Sequence, residues 1–132
     1  MSIDLTAPPW LLSKCSLWIE RLQMGEWDVQ IKLALVLNED PECRGTAEAY
    51  PDISLGRIEL RADIEDNAEG ETTLVHELLH IKHGRIDDVI NRVLEPQINV
   101  PTPMVKSVYR LALEPFIDSL SKALVKLAKE EP

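Results

Sequence analysis

The spacing of hydrophobic positions along this chain is first helical, then strand-like, then helical again. Leu11, Cys15, Trp18, Ile19 and Leu22 recur at three- and four-residue intervals, the mark of an amphipathic helix. Pro8 and Pro9 suit its first turn and Gly25 its end. Trp10 and Trp18 read as packing on its buried face. From Trp27 the period falls to two. Val29, Ile31, Leu33, Leu35 and Leu37 alternate with Gln30, Lys32, Ala34 and Val36, which predicts a strand with one buried face. Asn38-Glu39-Asp40-Pro41 breaks it. Thr46 to Tyr50 is a short strand closed by Pro51, and a flanking proline favours a sheet edge. Ser54 to Arg61 alternates again. Three strands joined by short turns predict a small antiparallel sheet.

Helical spacing then returns. Asp66 with Glu69 three residues on has the character of a capping box, and the helix it opens runs to about Gly84. Ile86, Val89, Ile90, Val93 and Leu94 predict another helix. Pro96, Pro101 and Pro103 make the next stretch a constrained loop. A last helix is expected from about Met104 to Lys129, with Val105, Tyr109, Ala112, Phe116, Leu120, Leu124 and Leu127 on one stripe. Pro115 removes a backbone donor and should kink it between Leu111 and Glu114. The expected class is α+β: an N-terminal helix, a small three-stranded antiparallel sheet, a motif-bearing helix and a C-terminal helix. A chain of 132 residues fits one domain over residues 1–132.

Composition narrows the functional classes. The formal charge is −9, which argues against a nucleic-acid-binding surface. No stretch approaches the roughly 20 apolar residues of a membrane span. The first residues carry an acid and no apolar core, so no secretory leader is expected. Two cysteines, Cys15 and Cys43, are too few for a disulfide framework. A reduced, cytoplasmic location is the expectation.

All three histidines lie in the eight residues His76-Glu77-Leu78-Leu79-His80-Ile81-Lys82-His83. The first five form His-Glu-x-x-His. Four helical residues advance about 400°, so His76 and His80 stand one turn apart on one face and can share an ion. Zn²⁺ bound there would acidify a water, and Glu77, adjacent to His76, is placed to take its proton. Leu74, Val75, Leu78, Leu79 and Ile81 cover most of the helix circumference and predict that it is embedded in the core.

The motif lacks a third ligand. Glu114 lies inside the apolar C-terminal helix beside Leu111 and Ile117, where a carboxylate is costly unless paired or bound to metal. It is the first choice. Its plainer role is a salt bridge to Arg110, four residues before it. Glu95, in a similar Leu-Glu-Pro-x-Ile context, and His83, on the same helical stripe, are alternatives, as is Cys43.

On these residues the chain resembles the gluzincin zinc metallopeptidases, in their minimal single-domain (minigluzincin-like), SprT-like and phage-type forms. The resemblance spans most of residues 8–128. It is carried by Thr73-Leu74-Val75-His76-Glu77-Leu78-Leu79-His80 and by the segment Glu114 to Leu124. It implies a minimal zincin fold, one zinc ion held by His76, His80 and Glu114, and Glu77 as general base. Asp118, four residues after Glu114, stands where relatives orient a histidine. Relatives often carry a tyrosine or histidine that stabilises the tetrahedral intermediate, and neither Tyr50 nor Tyr109 sits in a matching motif.

Two functions are therefore expected to compete. One is a zinc-dependent endopeptidase acting on a peptide or protein substrate. The other is a catalytically inactive, metal-stabilised regulatory or adaptor domain. For the enzyme, Thr46, Ala47, Glu48, Ala49 and Tyr50 form the candidate substrate-binding edge, about as far before the motif as in the gluzincins. Residues 38–77 carry twelve acids against Arg44, Arg57 and Arg61, a field that favours a basic substrate segment.

Overall fold

The computed structural model describes residues 6–89 and 102–130, and of residues 102–106 the backbone alone. The elements are α1 (Pro9–Arg21), β1 (Asp28–Ala34), β2 (Gly45–Tyr50), β3 (Leu55–Arg61), α2 (Ala68–Lys82), α3 (Gly84–Val89) and α4 (Thr102–Glu130). The class is α+β. The helical reading of residues 90–94, the proline-rich loop and Glu95 lie outside the described residues.

α1 ends before Gly25. Leu22 is the C-cap, and Gln23 takes the left-handed conformation (φ 56°). Gln23 N–H donates to Glu20 O at 3.1 Å and Met24 N–H to Ile19 O at 2.8 Å. These two bonds define a Schellman stop. The stop turns Met24 into the core, where it is fully buried, and that burial offsets the cost of a non-glycine left-handed residue.

The sheet is mixed, not antiparallel. Its order is β1-β3-β2. β2 and β3 pair antiparallel, whereas β1 and β3 pair parallel. β3 takes the centre because it is the most apolar strand on its inner face, with Gly56, Ile58 and Leu60 buried. Residues 35–44 carry the chain across the end of the sheet from β1 to β2. The β2–β3 hairpin then folds back between them, which makes β3 parallel to β1. β1 stops at Ala34, short of the alternation that reached Leu37. Asn38 and Glu39 are both left-handed (φ 52° and 56°), and Asp40 N–H closes the turn on Leu37 O at 2.9 Å. Leu35 and Val36 are exposed, while Leu37 returns to the core.

α2 is capped by Asn67, one residue after the expected Asp66. The Asn67 side chain accepts from Gly70 N–H at 2.8 Å, and Asn67 is extended there, as a cap requires. Glu71 accepts from the Trp18 indole N–H at 2.7 Å and has the Lys14 ammonium at 3.6 Å. This buried group ties α1 to the first turn of α2. Leu74, Val75, Leu78 and Ile81 of α2 then fill the space between α1, β3 and α4 without exposure.

α4 runs unbroken through Pro115. Its buried face is Leu113, Ile117, Ser121 and Val125, rotated from the stripe expected from hydrophobicity. Ala112, Phe116 and Leu127 are exposed. The inward line includes a serine, whose hydroxyl donates to Asp118 O at 2.9 Å. That bond satisfies Ser121 locally and lets it occupy a core position. The rotation also turns Glu114 and Asp118 toward α2.

Candidate metal centre

His76 and His80 project from the one stripe of α2 that the apolar core leaves open, and both are half-buried. α4 crosses this stripe. Glu114 Oε1 is 2.8 Å from His80 Nε2, and Oε2 is 3.3 Å from His76 Nε2. The two imidazole Nε2 atoms are 3.3 Å apart. Donors held by a tetrahedral ion at about 2.0–2.1 Å lie about 3.3–3.4 Å from one another. The three side chains match such a shell in donor type; the imidazole–imidazole separation has its spacing, while Glu114 meets the two rings through different oxygens, at 2.8 and 3.3 Å. This group can hold a metal ion.

The electrostatics favour a ligand-competent imidazole at His80. Burial lowers the pKa of His80; Glu114 opposes this, and His76 and Arg110 add to it. A neutral ring leaves a lone pair free for a cation. His76 Nδ1 faces Asp118 Oδ1 at 3.8 Å. That is too long for a hydrogen bond and leaves Asp118 beside the outer nitrogen of the ring.

Glu77 faces away from the imidazole stripe, toward β2. It is 6% exposed. Burial pushes its carboxyl up to about 8, with Glu114 adding to the shift and Arg110 opposing it. Its stem lies against Gly45, where a β-carbon would stand 3.0 Å from Glu77 Cγ. Glycine at this position leaves room for the start of β2 to approach the Glu77 side chain so closely. Further along, a β-carbon on Gly84 would stand 2.5 Å from Ala49 Cβ. β2 is therefore laid against α2 and the start of α3 by two glycine contacts, one near each end.

β2 is an edge strand, as Pro51 suggested. Arg61 N–H donates to Arg44 O at 2.9 Å. With the observed register, 46/59, 48/57 and 50/55 are then the hydrogen-bonded pairs. Gly45, Ala47 and Ala49 turn N–H and C=O to the outer edge, which no described strand covers. Gly45 O accepts from the Cys43 thiol at 3.4 Å. Thr46, Glu48 and Tyr50 project onto the outer sheet face. The other edge, on β1, carries an antiparallel bridge from Thr6 to Lys32.

Two cavities meet at the donor group. One, of about 770 Å³, follows β2 from Gly45 to Tyr50 and is walled opposite by Asp87, Arg110 and Glu114. The other, of about 630 Å³, opens toward Thr72, Thr73, Asp118 and Lys122. Gly45, His76 and Glu77 line both.

The five residues Thr46 to Tyr50 thus share a cleft with His76, Glu77, His80 and Glu114. The salt bridge expected from Arg110 to Glu114 is present as a 3.9 Å contact. His83 stands apart: its Nδ1 meets the Tyr109 hydroxyl at 2.9 Å. The sequence offers Arg110 only as an ion-pair partner of Glu114 and Tyr109 only as a stripe residue outside any matching motif; their places at the cleft wall and beside His83 come from the fold. The only sequence signal for those places is helical spacing, four and five residues before Glu114. Compared with protein-family models, curated proteins and solved structures, the chain matches none.

Proposed function

We propose that the protein is a zinc-dependent endopeptidase of gluzincin type, with a minimal zincin fold. One observation carries the reading. Two imidazoles and a carboxylate converge closely enough to share one ion, while a separate buried carboxylate, Glu77, lines the cleft beside an open strand edge.

His76, His80 and Glu114 would hold the ion. Zn²⁺ when bound supplies Lewis acidity, polarising a carbonyl oxygen and making water more acidic. The chain's own groups do the rest. A peptide added to β2 hydrogen-bonds to the outward N–H and C=O of Ala47 and Ala49, which lays its backbone past Glu77. Glu77, whose ionised form a bound cation would favour, takes a proton from the water whose oxygen attacks the carbonyl carbon. As the C–N bond breaks, Glu77 returns that proton to the leaving nitrogen. The cleft continues on both sides of Glu77, which suits cleavage inside a chain.

The test is Glu77→Gln, which removes the base and leaves the three ligands. The variant should bind zinc as the wild type does and cleave neither casein nor a peptide library. Undiminished turnover by it would exclude Glu77 as the base. A zinc-loaded wild type inactive on both substrates would instead favour the metal-stabilised adaptor.

A further inference from the structure

The seam between α2 and α4 holds a second polar cluster that the metal centre does not use. The Tyr109 hydroxyl on α4 meets Nδ1 of His83, the residue that caps α2, at 2.9 Å. Asp87 on α3 approaches the same nitrogen at 3.4 Å and lies near the tyrosine hydroxyl. Burial first, and then Asp87, push that hydroxyl far above the ordinary tyrosine range. It keeps its proton and remains a donor.

Little else holds α4 at this point. From Ser107 to Ala112 every side chain is exposed except that of Tyr109. The next buried residue is Leu113, directly before Glu114. Glu114 itself is 45% exposed, and its 3.9 Å contact with the exposed Arg110 is a weak restraint. Among the described side chains, the turns that lead into the candidate ligand therefore touch the body through one phenol.

We infer that the Tyr109–His83–Asp87 cluster is a latch that positions Glu114 against His76 and His80 and so sets the affinity of the metal centre. The inference rests on the metal reading proposed above. The pairs descend in order along antiparallel helices: Asp118 with His76, Glu114 with His76 and His80, Tyr109 with His83. Tyr109 precedes Glu114 by five residues, about 7.5 Å of helix. A hydrogen bond at that distance restrains both sliding and rotation of α4. Slippage by one residue would turn Glu114 about 100° away from the imidazoles.

Tyr109→Phe keeps the ring and removes the hydroxyl. In the metal-free protein it should speed hydrogen exchange of the 107–112 amides. It should also raise the Zn²⁺ dissociation constant about 10–100-fold, the usual effect of removing a partner that orients a ligand. The Co²⁺-loaded absorption spectrum should shift with it. His83→Asn keeps an acceptor near the Nδ1 position and should retain zinc affinity; His83→Ala should not. Val125→Ala, at the far end of α4, should lower thermal stability without changing zinc affinity. Unchanged exchange in Tyr109→Phe would overturn the latch. Faster exchange with unchanged zinc affinity would overturn its positioning role. A wild type that takes up no zinc would overturn the metal reading and the positioning role together; the exchange result would still decide whether the latch exists.

Discussion

His80 Nε2 and Glu114 Oε1 stand 2.8 Å apart, one on α2 and the other on α4. No regularity of local sequence brings them together. The contact arises because α4 turns Leu113 and Ile117 into the core and so leaves Glu114 facing the open stripe of α2. A divalent cation held between His76, His80 and Glu114 would draw on the lone pairs of all three.

One Zn²⁺ should bind per chain. His76→Ala or His80→Ala should abolish binding, since each removes a donor. Glu114→Gln should weaken it more than the roughly 10–100-fold expected for a residue that only orients a ligand. Glu95→Gln should change it little. Elemental analysis after dialysis, with chelator competition for the weaker variants, reads all four. Full zinc retention in both histidine variants would contradict the site, and a larger loss in Glu95→Gln than in Glu114→Gln would move the third ligand.

The open edge of β2 allows a backbone test. Ala47 N–H points away from β3, so Ala47→Pro should leave the ladder and the zinc content intact. It should lower peptide binding about three- to tenfold, the worth of one hydrogen bond. Glu48→Pro removes a ladder donor to β3 and should instead destabilise the fold. Equal peptide affinity in Ala47→Pro and wild type, by calorimetry with Glu77→Gln as background, would remove β2 as the substrate strand.

The elements and the motif were legible because they rest on local periodicity and fixed spacing. His76, Glu77 and His80 needed only a helix. Glu114 followed from the cost of a carboxylate in an apolar stretch. The strand order was not legible: alternation gives the same pattern for a parallel and an antiparallel neighbour, and only the path of residues 35–44 sets which strand lies between the others. The face of α4 was misread because Ser121 counts as polar in the sequence yet is fully buried. The Tyr109–His83 contact joins residues 26 apart, on helices whose separation depends on the whole core.

Cys15 gives a prediction about stability and pH. Burial pushes its thiol up from 9.0 to about 11. Below about pH 9 both folded and unfolded chains keep the proton, and the contribution is fully present. Between about 9 and 11 the unfolded chain loses its proton first, so stability falls as pH rises. Urea titrations should show this fall in the wild type and a shallower one in Cys15→Ala. Identical slopes would contradict the burial of this thiol.

X-ray absorption at the zinc edge reads the ligand set most directly. The zinc-loaded protein should show a shell of nitrogen and oxygen at about 2.0–2.1 Å with the outer scattering of two imidazoles, and no sulfur. Glu114→Gln should alter that shell, and Cys43→Ala should leave it unchanged. A sulfur shell at about 2.3 Å, or the scattering of a single imidazole, would contradict the site formed by His76, His80 and Glu114.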